Sequence, residues 1–121
     1  MRIYVSHSTT LNYRHSLYSP LKTSVLWQQH YFILPHDEQS DPINSKAIIS
    51  EVNLVIAEVS YPSTGFGIEL GWANIANRPI LCLHQEHTKP SSSLNLICDH
   101  FIQYSDPDNL ISQLAHWLNE R

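Results

Sequence analysis

The segment that most constrains the fold is residues 53–73, which read NLVIAEVSYPSTGFGIELGWA. Its first part, Leu54 to Val59, is apolar and rich in β-branched residues, as is typical of a strand buried on both faces. Turn-forming residues follow, and from Gly67 the apolar residues return at helical spacing. A strand, a turn that contains glycine and a helix start commonly form a ligand site in an open α/β sheet. The segment therefore predicts such a sheet, with a site at this turn.

The rest of the chain repeats the alternation of strand and helix. We predict strands at residues 2–6, 30–34, 54–59, 79–83 and 101–104. We predict helices at residues 12–28, 42–52 and 67–76 and from residue 107, with a helical turn at 94–98. Pro20 should kink or split the first helix, and Asp41 and Pro42 should start the second. This order predicts one α/β domain over residues 1–121, in which a five-stranded parallel sheet lies between two layers of helices.

Composition narrows the class of protein. The formal net charge of −4 provides no broad basic field, so we expect no nucleic-acid partner. The chain contains no run of about twenty apolar residues, so we expect no membrane span. Cys82 lies in an apolar strand, and we expect it and Cys98 to be reduced thiols in a cytoplasmic protein. A short chain with only 15% charged residues favours a homodimer that buries apolar surface.

Glu69 is the strongest candidate for a catalytic residue. We expect it in the first turn of the third helix, where a carboxylate either complements the helix dipole or does chemistry. A carboxylate can attack the anomeric carbon of a sugar during cleavage of a glycosidic bond. Gly65 and Gly67 favour the chemical role, because glycine lets a ligand approach the backbone closely.

Three serines fall on separate loops at the carboxyl edge of the predicted sheet, namely Ser8, Ser63 and Ser93. Hydroxyl groups and backbone N–H groups at helix starts commonly hold a phosphate. The alternative is that each serine only caps a helix or stabilises a turn. The sequences GxxxxGK[ST] and GxGxxG are both absent, so neither of the two common nucleotide fingerprints supports the phosphate interpretation.

The remaining candidates are aromatic or histidine side chains. His7 and His36 fall on loops at the same edge, where they either bind substrate and transfer protons or are ordinary loop residues. The eight histidines show none of the spacings of metal sites, so we expect no metal. Tyr4 on the first strand either faces the site or packs in the core.

These residues together resemble a known family. The stretch AEVSYPSTGFGIELG at residues 57–71, the opening IYVSHS and the serines at 91–93 resemble the nucleoside 2-deoxyribosyltransferase superfamily. Within it, the chain is most similar to the 2'-deoxynucleoside 5'-phosphate N-hydrolases. The resemblance covers nearly the whole chain and implies a flavodoxin-like three-layer sandwich that acts without a cofactor.

The resemblance also implies roles for individual residues. Glu69 would attack C1′ of a nucleotide, and Tyr4 matches the tyrosine of the first strand. Ser8 and Ser63 would bind the phosphate, together with Ser93 of the neighbouring subunit in a homodimer. Ser45 stands where the family commonly has an aspartate that handles the sugar or base.

Three functions follow as hypotheses. The first is hydrolysis of the N-glycosidic bond of a nucleoside 5'-monophosphate, which serine at position 63 favours because the transferases usually have an acid there. The second is transfer of deoxyribose between bases. The third is a nucleotide sensor that binds without turnover, because the aspartate is replaced by Ser45.

Overall fold

A parallel sheet organises the computed structural model, which describes residues 1–37, 43–98 and 100–121. Its strands are β1 (Arg2–His7), β2 (Tyr31–Ile33), β3 (Leu54–Glu58), β4 (Ile80–Gln85) and β5 (His100–Tyr104). All neighbours in the sheet run parallel, in the order β2-β1-β3-β4-β5. The order reverses direction between β1 and β3, which is where open α/β sheets bind ligands. The predicted five-stranded α/β architecture is confirmed.

The helices cover both faces of this sheet. They are α1 (Ser19–Lys22), α2 (Leu26–Gln29), α3 (Ser45–Ile49), α4 (Thr64–Ile75) and α5 (Pro107–Asn119). A π-helical turn (Arg14–Tyr18) precedes α1, and a 3-10 helix (Ser92–Leu96) lies between β4 and β5. α5 begins as expected, since the Asp106 side chain accepts a hydrogen bond from Asn109 N at 2.7 Å.

The first helical region is divided into short pieces. Pro20 lies in the first turn of α1, where the missing backbone N–H costs nothing. α1 ends at Lys22, and Thr23 Oγ1 donates to the carbonyl oxygen of Ser19 at 2.9 Å. The helix predicted over residues 12–28, with a kink or split at Pro20, is thus three short pieces, and the break in the helical backbone lies at residues 23–25.

The second helix starts later and ends earlier than predicted. α3 begins at Ser45, because the Asn44 side chain caps it by accepting a hydrogen bond from Ala47 N at 3.2 Å. The predicted start at Asp41 and Pro42 lies outside the described residues. The helix stops at Ile49 and does not continue to residue 52.

Buried side chains form two clusters, one on each face of the sheet. Successive residues of β1 and β3 alternate between them: Val5 and Ile56 lie in one cluster, and Tyr4 and Ala57 lie in the other. Every residue of β3 is buried, as the sequence pattern indicated. The second cluster is completed by α4, so the predicted site lies on that face.

Cys82 and Cys98 form a disulfide, which contradicts the prediction of reduced thiols. Cys82 on β4 and Cys98, two residues after the 3-10 helix, have Cα atoms 6.7 Å apart, within the range of disulfides. The pairing depends on how this connection folds back onto the sheet, which sequence spacing did not reveal. In the described part of the chain, no helix has the length and apolar character needed to cross a membrane. The cytoplasmic location stays a prediction.

Candidate active site

The candidate site lies beside the carboxyl ends of β1 and β3, where α4 begins. α4 starts at Thr64, three residues earlier than predicted, so Glu69 is in its second turn. The predicted place of Glu69 in the first turn is therefore wrong, and so is the placement of Gly65 in a turn before the helix. The reason is burial: Phe66, Leu70 and Ala73 follow helical spacing and pack on the sheet. Tertiary packing thus extends the helix through both glycines.

Two hydroxyl groups on β1 hold the Glu69 carboxylate. The Tyr4 hydroxyl donates to Oε2, and Ser6 Oγ donates to Oε1 at 2.7 Å. Both donors are fully buried, whereas Glu69 itself is half-buried and lines an open cavity. Each carboxylate oxygen therefore has one fixed partner and keeps acceptor capacity for a ligand.

A third hydroxyl extends this network. Ser45 Oγ lies 2.9 Å from the Tyr4 hydroxyl oxygen. A phenol hydroxyl can donate only one hydrogen bond, and that of Tyr4 donates to Glu69. The Ser45 hydroxyl therefore donates to the phenol oxygen. Burial, followed by the hydrogen bond to Glu69, raises the pKa of Tyr4 well above its ordinary value. Tyr4 therefore stays protonated, and remains a hydrogen-bond donor, across the physiological pH range.

The cavity in front of Glu69 has a volume of about 800 Å³, which is within the range of small-molecule sites. Its walls come from β1, the loop after β2, α3 and α4. Six of the residues predicted from the sequence line it: His7, His36, Ser45, Ser63, Gly65 and Glu69. Lys46 and the aromatic side chains of Phe66 and Trp72 complete the polar and apolar walls.

His7 and His36 belong to one aromatic cluster at the cavity wall. His7 ends β1, so the prediction of a loop position is wrong for it, whereas His36 follows β2 as expected. The His36 ring stands edge-on to the His7 ring with centroids 5.2 Å apart, and the backbone N–H of His36 donates to the Tyr18 hydroxyl oxygen at 3.0 Å.

The contacts of His7 fix its protonation state. Its Nδ1 lies 3.0 Å from the carbonyl oxygen of Ser8 and must donate there, while Nε2 accepts from the Tyr18 hydroxyl at 2.7 Å. Burial lowers the pKa of His7 to about 4, so the ring is neutral at pH 7. A neutral ring with both nitrogens engaged is a wall of the cavity and a poor proton donor.

The three serines predicted to bind phosphate do not share one cavity. Ser63 caps α4 but its side chain makes no capping hydrogen bond, and it lines the Glu69 cavity. It also lines a second cavity of about 510 Å³, which Ser93 lines as well. Ser8 is buried and lines neither; its Oγ lies 2.6 Å from Thr10 Oγ1. Gly67 faces the second cavity and Gly65 the first.

A second carboxyl group, that of Glu58, is buried on the opposite face of the sheet. Glu58 accepts hydrogen bonds from the backbone N–H and the hydroxyl of Ser60, at 2.7 and 2.9 Å, and from the Tyr104 hydroxyl. Burial raises the pKa of Glu58. Unlike Glu69, Glu58 lines neither cavity, and its two oxygens accept three hydrogen bonds from buried neighbours, which favours a structural role.

Ser6 is the functional candidate that the sequence analysis missed. The predicted first strand ends at residue 6, whereas β1 continues to His7. Strand side chains alternate, so residues 4 and 6 face the same side of the sheet, and this period could have placed Ser6 beside Tyr4. Within the described ranges, no group of three or more His, Cys, Asp or Glu side chains could hold a metal ion.

Comparison with known proteins gives one relative and one solved structure of note. The chain is 31% identical over 76 residues to a provisionally named 2'-deoxynucleoside 5'-phosphate N-hydrolase 1 from Thermofilum pendens. The match covers 59% of this chain and 53% of that protein, so the chain spans about half the length of this curated relative. No protein-family model matches the chain.

The solved structure is that of a CMP N-glycosidase, BcmB, from Clostridium botulinum. It matches with a TM-score of 0.68 over 95% of this chain and 99% of that one, at 20% sequence identity. The predicted similarity to the 2'-deoxynucleoside 5'-phosphate N-hydrolases is confirmed as distant homology. At this identity the structural match establishes the shared Rossmann-like fold, and the sequence match indicates distant homology to the nucleotide N-hydrolases.

Proposed function

We propose that the protein hydrolyses the N-glycosidic bond of a nucleoside 5'-monophosphate, such as a deoxynucleotide, and releases the free base and the sugar phosphate. One observation carries this proposal. A carboxylate, Glu69, is held by two buried hydroxyl groups and borders a cavity large enough for a nucleotide. Distant homology to a nucleotide N-hydrolase agrees with this chemistry.

In the proposed reaction Glu69 is the nucleophile. Its carboxylate attacks C1′ of the sugar, the C1′–N bond breaks, and the bonding electrons leave with the base. Water then attacks C1′ of the glycosyl ester, and the C1′–O bond to Glu69 breaks to restore the carboxylate. The proton lost by water balances the proton taken up by the base. Tyr4, which remains protonated, keeps donating to the carboxylate throughout.

The phosphate would bind at the start of α4. Ser63 offers a hydroxyl that makes no capping hydrogen bond, beside the first backbone N–H groups of a twelve-residue helix. A Cβ added at Gly65 would meet nothing closer than Ser63 Oγ at 3.7 Å. The space beside Gly65 is thus open to a ligand. The base would face His36 and Trp72 on the outer walls of the cavity.

The direct test is a panel of ribo- and deoxyribonucleoside 5'-monophosphates, with free base measured by chromatography. We expect release from at least one nucleotide by the wild type, and none above background by Glu69→Gln, which retains binding because the amide fills the same space. Release that requires an added acceptor base would identify a transferase. Tight binding without release would identify a sensor, an outcome consistent with serine at position 45. Undiminished turnover by Glu69→Gln would refute the proposed nucleophile.

We also propose that the protein acts as a homodimer in which Ser93 serves the site of the neighbouring subunit. Large apolar side chains stay exposed on α4 and on the 3-10 helix, with Ile68, Ile75 and Leu96 exposed by 50, 82 and 86%. Ile68 and Ile75 are two helical turns apart and share one face of α4, and exposed apolar surface of this kind is typically covered by a partner. Ser93 lies in the same 3-10 helix as Leu96 and does not line the Glu69 cavity of its own chain.

Subunit complementation tests the arrangement of Ser93. If Ser93 acts across the interface, mixing inactive Glu69→Gln with Ser93→Ala subunits creates mixed dimers in which one site has both residues intact. Activity should then appear on mixing, after subunits have been exchanged by brief unfolding and refolding. A protein that stays monomeric in light scattering, or a mixture that stays inactive, would refute the shared site.

A further inference from the structure

We propose that Ser6 is a positioning residue for Glu69, a role that rests on the proposed function. Ser6 Oγ donates to Glu69 Oε1 at 2.7 Å, on the side of the carboxylate opposite the oxygen that Tyr4 holds. With one donor on each oxygen, the carboxylate plane is fixed. Tyr4 alone would leave the carboxyl group free to rotate about its last side-chain bond.

The position of Ser6 in the fold makes this contact specific. Ser6 is fully buried near the end of β1, and its register partner on β3 is Ala57. Both side chains face the layer that contains α4. The methyl group of Ala57 is small, which leaves room for Glu69 to reach down to the strand. A hydroxyl buried at this depth needs a partner, and its bond to Glu69 supplies one.

The chemistry explains what the contact does. The carboxylate loses its charge when it attacks C1′ and regains it when water cleaves the ester. A donor on Oε1 stays in place in both steps, so it holds the nucleophile in line with C1′ and stabilises the carboxylate when it departs. Such preorganised donors mainly affect the rate of the chemical steps and have little effect on substrate binding. Ser6 does not line the cavity, so substrate affinity should not depend on it.

The test compares Ser6→Ala with Ser24→Ala, a matched control. Ser24 also loses a serine hydroxyl bond, since its Oγ donates to the carbonyl oxygen of Leu21 at 2.8 Å, but it is remote from the site. We expect Ser6→Ala to lower kcat about tenfold to a hundredfold with KM changed less than about threefold, as for loss of a hydrogen bond to a charged group. Ser24→Ala should retain wild-type rates. Ser6→Cys, which keeps a weak donor of similar size, should restore part of kcat.

The split between kcat and KM separates positioning from a merely structural role. Rates are compared per folded molecule, with the folded fraction of each variant measured by urea unfolding. A loss of stability without any change in kcat would overturn the inference.

A spectroscopic readout keeps this inference separate from the proposed function. In protein labelled with ¹³C at the glutamate carboxyl carbon, the signal that Glu69→Gln removes belongs to Glu69. We expect that signal to shift at pH 7 in Ser6→Ala and not in Ser24→Ala, because carboxyl carbons respond to hydrogen bonding. If no nucleotide is hydrolysed yet the signal shifts, the proposed function fails and the contact stands. If turnover is observed and neither the signal nor kcat changes, Ser6 does not position Glu69.

Discussion

Two tyrosines in this fold make the same contact in different places, and replacing each with phenylalanine tests the assignment of the site. The Tyr4 hydroxyl donates to Glu69, which lines the open cavity, and the Tyr104 hydroxyl donates to Glu58 on the opposite face of the sheet. Both tyrosines are at least 97% buried, at 0 and 3% exposure. The substitutions Tyr4→Phe and Tyr104→Phe therefore remove the same group from equally buried positions.

The two variants should lose similar stability. Each loses one hydrogen bond between a phenol and a carboxyl group, which is worth about 1.5–3 kcal/mol when the acceptor is charged. Tyr4→Phe also loses the hydrogen bond from Ser45, but Ser45 lines the open cavity, so its hydroxyl can bond water instead. For a domain of this size, a loss of about 2 kcal/mol lowers Tm by roughly 8 °C. Differential scanning calorimetry, with urea unfolding at pH 7 as a second method, measures this change.

Their effects on turnover should differ. Tyr4→Phe frees one oxygen of the proposed nucleophile, so we expect kcat to fall about tenfold to a hundredfold on the best nucleotide substrate. Tyr104→Phe should keep kcat within about twofold, since Glu58 does not line the cavity. Equal losses of kcat in the two variants would show that activity only follows stability. Full activity in Tyr4→Phe at reduced Tm would refute the role of Tyr4.

Further expectations concern stability, the disulfide and the glycines of α4. Because the pKa of His7 is about 4 in the folded protein and about 6.5 when unfolded, the unfolded state binds the proton first as pH falls. The wild type should lose about 3 kcal/mol of stability relative to His7→Asn between pH 7 and pH 4 in urea unfolding. If the free energies of unfolding of the two proteins depend on pH in the same way, this expectation is wrong. Reducing the Cys82–Cys98 disulfide, which closes a loop over a sequence separation of 16, should cost about 3 kcal/mol, unless thiol titration finds both cysteines already free. Gly71→Ala should stabilise α4 by about 0.5–1 kcal/mol, because no atom lies within 4 Å of the added Cβ. Gly65→Ala also has room for its Cβ, but it should weaken nucleotide binding as measured by calorimetry. Equal nucleotide affinity in the two variants would exclude a ligand beside Gly65.

The fold was predictable from the sequence because its signals are strong and local. The continuous apolar run of β3 is typical of a strand covered on both faces, and Pro20 lies in the first turn of α1, where proline is tolerated. The start of α4 was not predictable from local signals. Gly65 and Gly67 indicate a turn when read alone, and only the packing of Phe66 and Leu70 against the sheet makes them helical.

The structure brings some of the predicted site residues together and separates others. Glu69, Tyr4 and Ser45 come from three distant parts of the chain, and the resemblance to a family named all three before the geometry linked them. The pairing of Cys82 with Cys98 was beyond reach, since it depends on how the connection after β4 folds back. The sequence also did not indicate that Ser8 lies away from the cavity, where its hydroxyl is hydrogen-bonded to that of Thr10.

The hydroxyl network suggests how Ser45 can replace the aspartate that is common in the family that the sequence resembles. An aspartate at position 45 would bring a second negative charge to within hydrogen-bond distance of Tyr4 and close to Glu69, and like charges disfavour each other's ionised forms. Ser45 adds no charge and instead donates to Tyr4, which in turn donates to the nucleophile. Three neutral hydroxyl groups, those of Ser45, Tyr4 and Ser6, thereby support one carboxylate. In such a site other groups must bind the sugar or base. The variant Ser45→Asp distinguishes the two alternatives. It should lower turnover if catalysis depends on the neutral hydroxyl groups, and raise turnover if catalysis needs an acid at position 45.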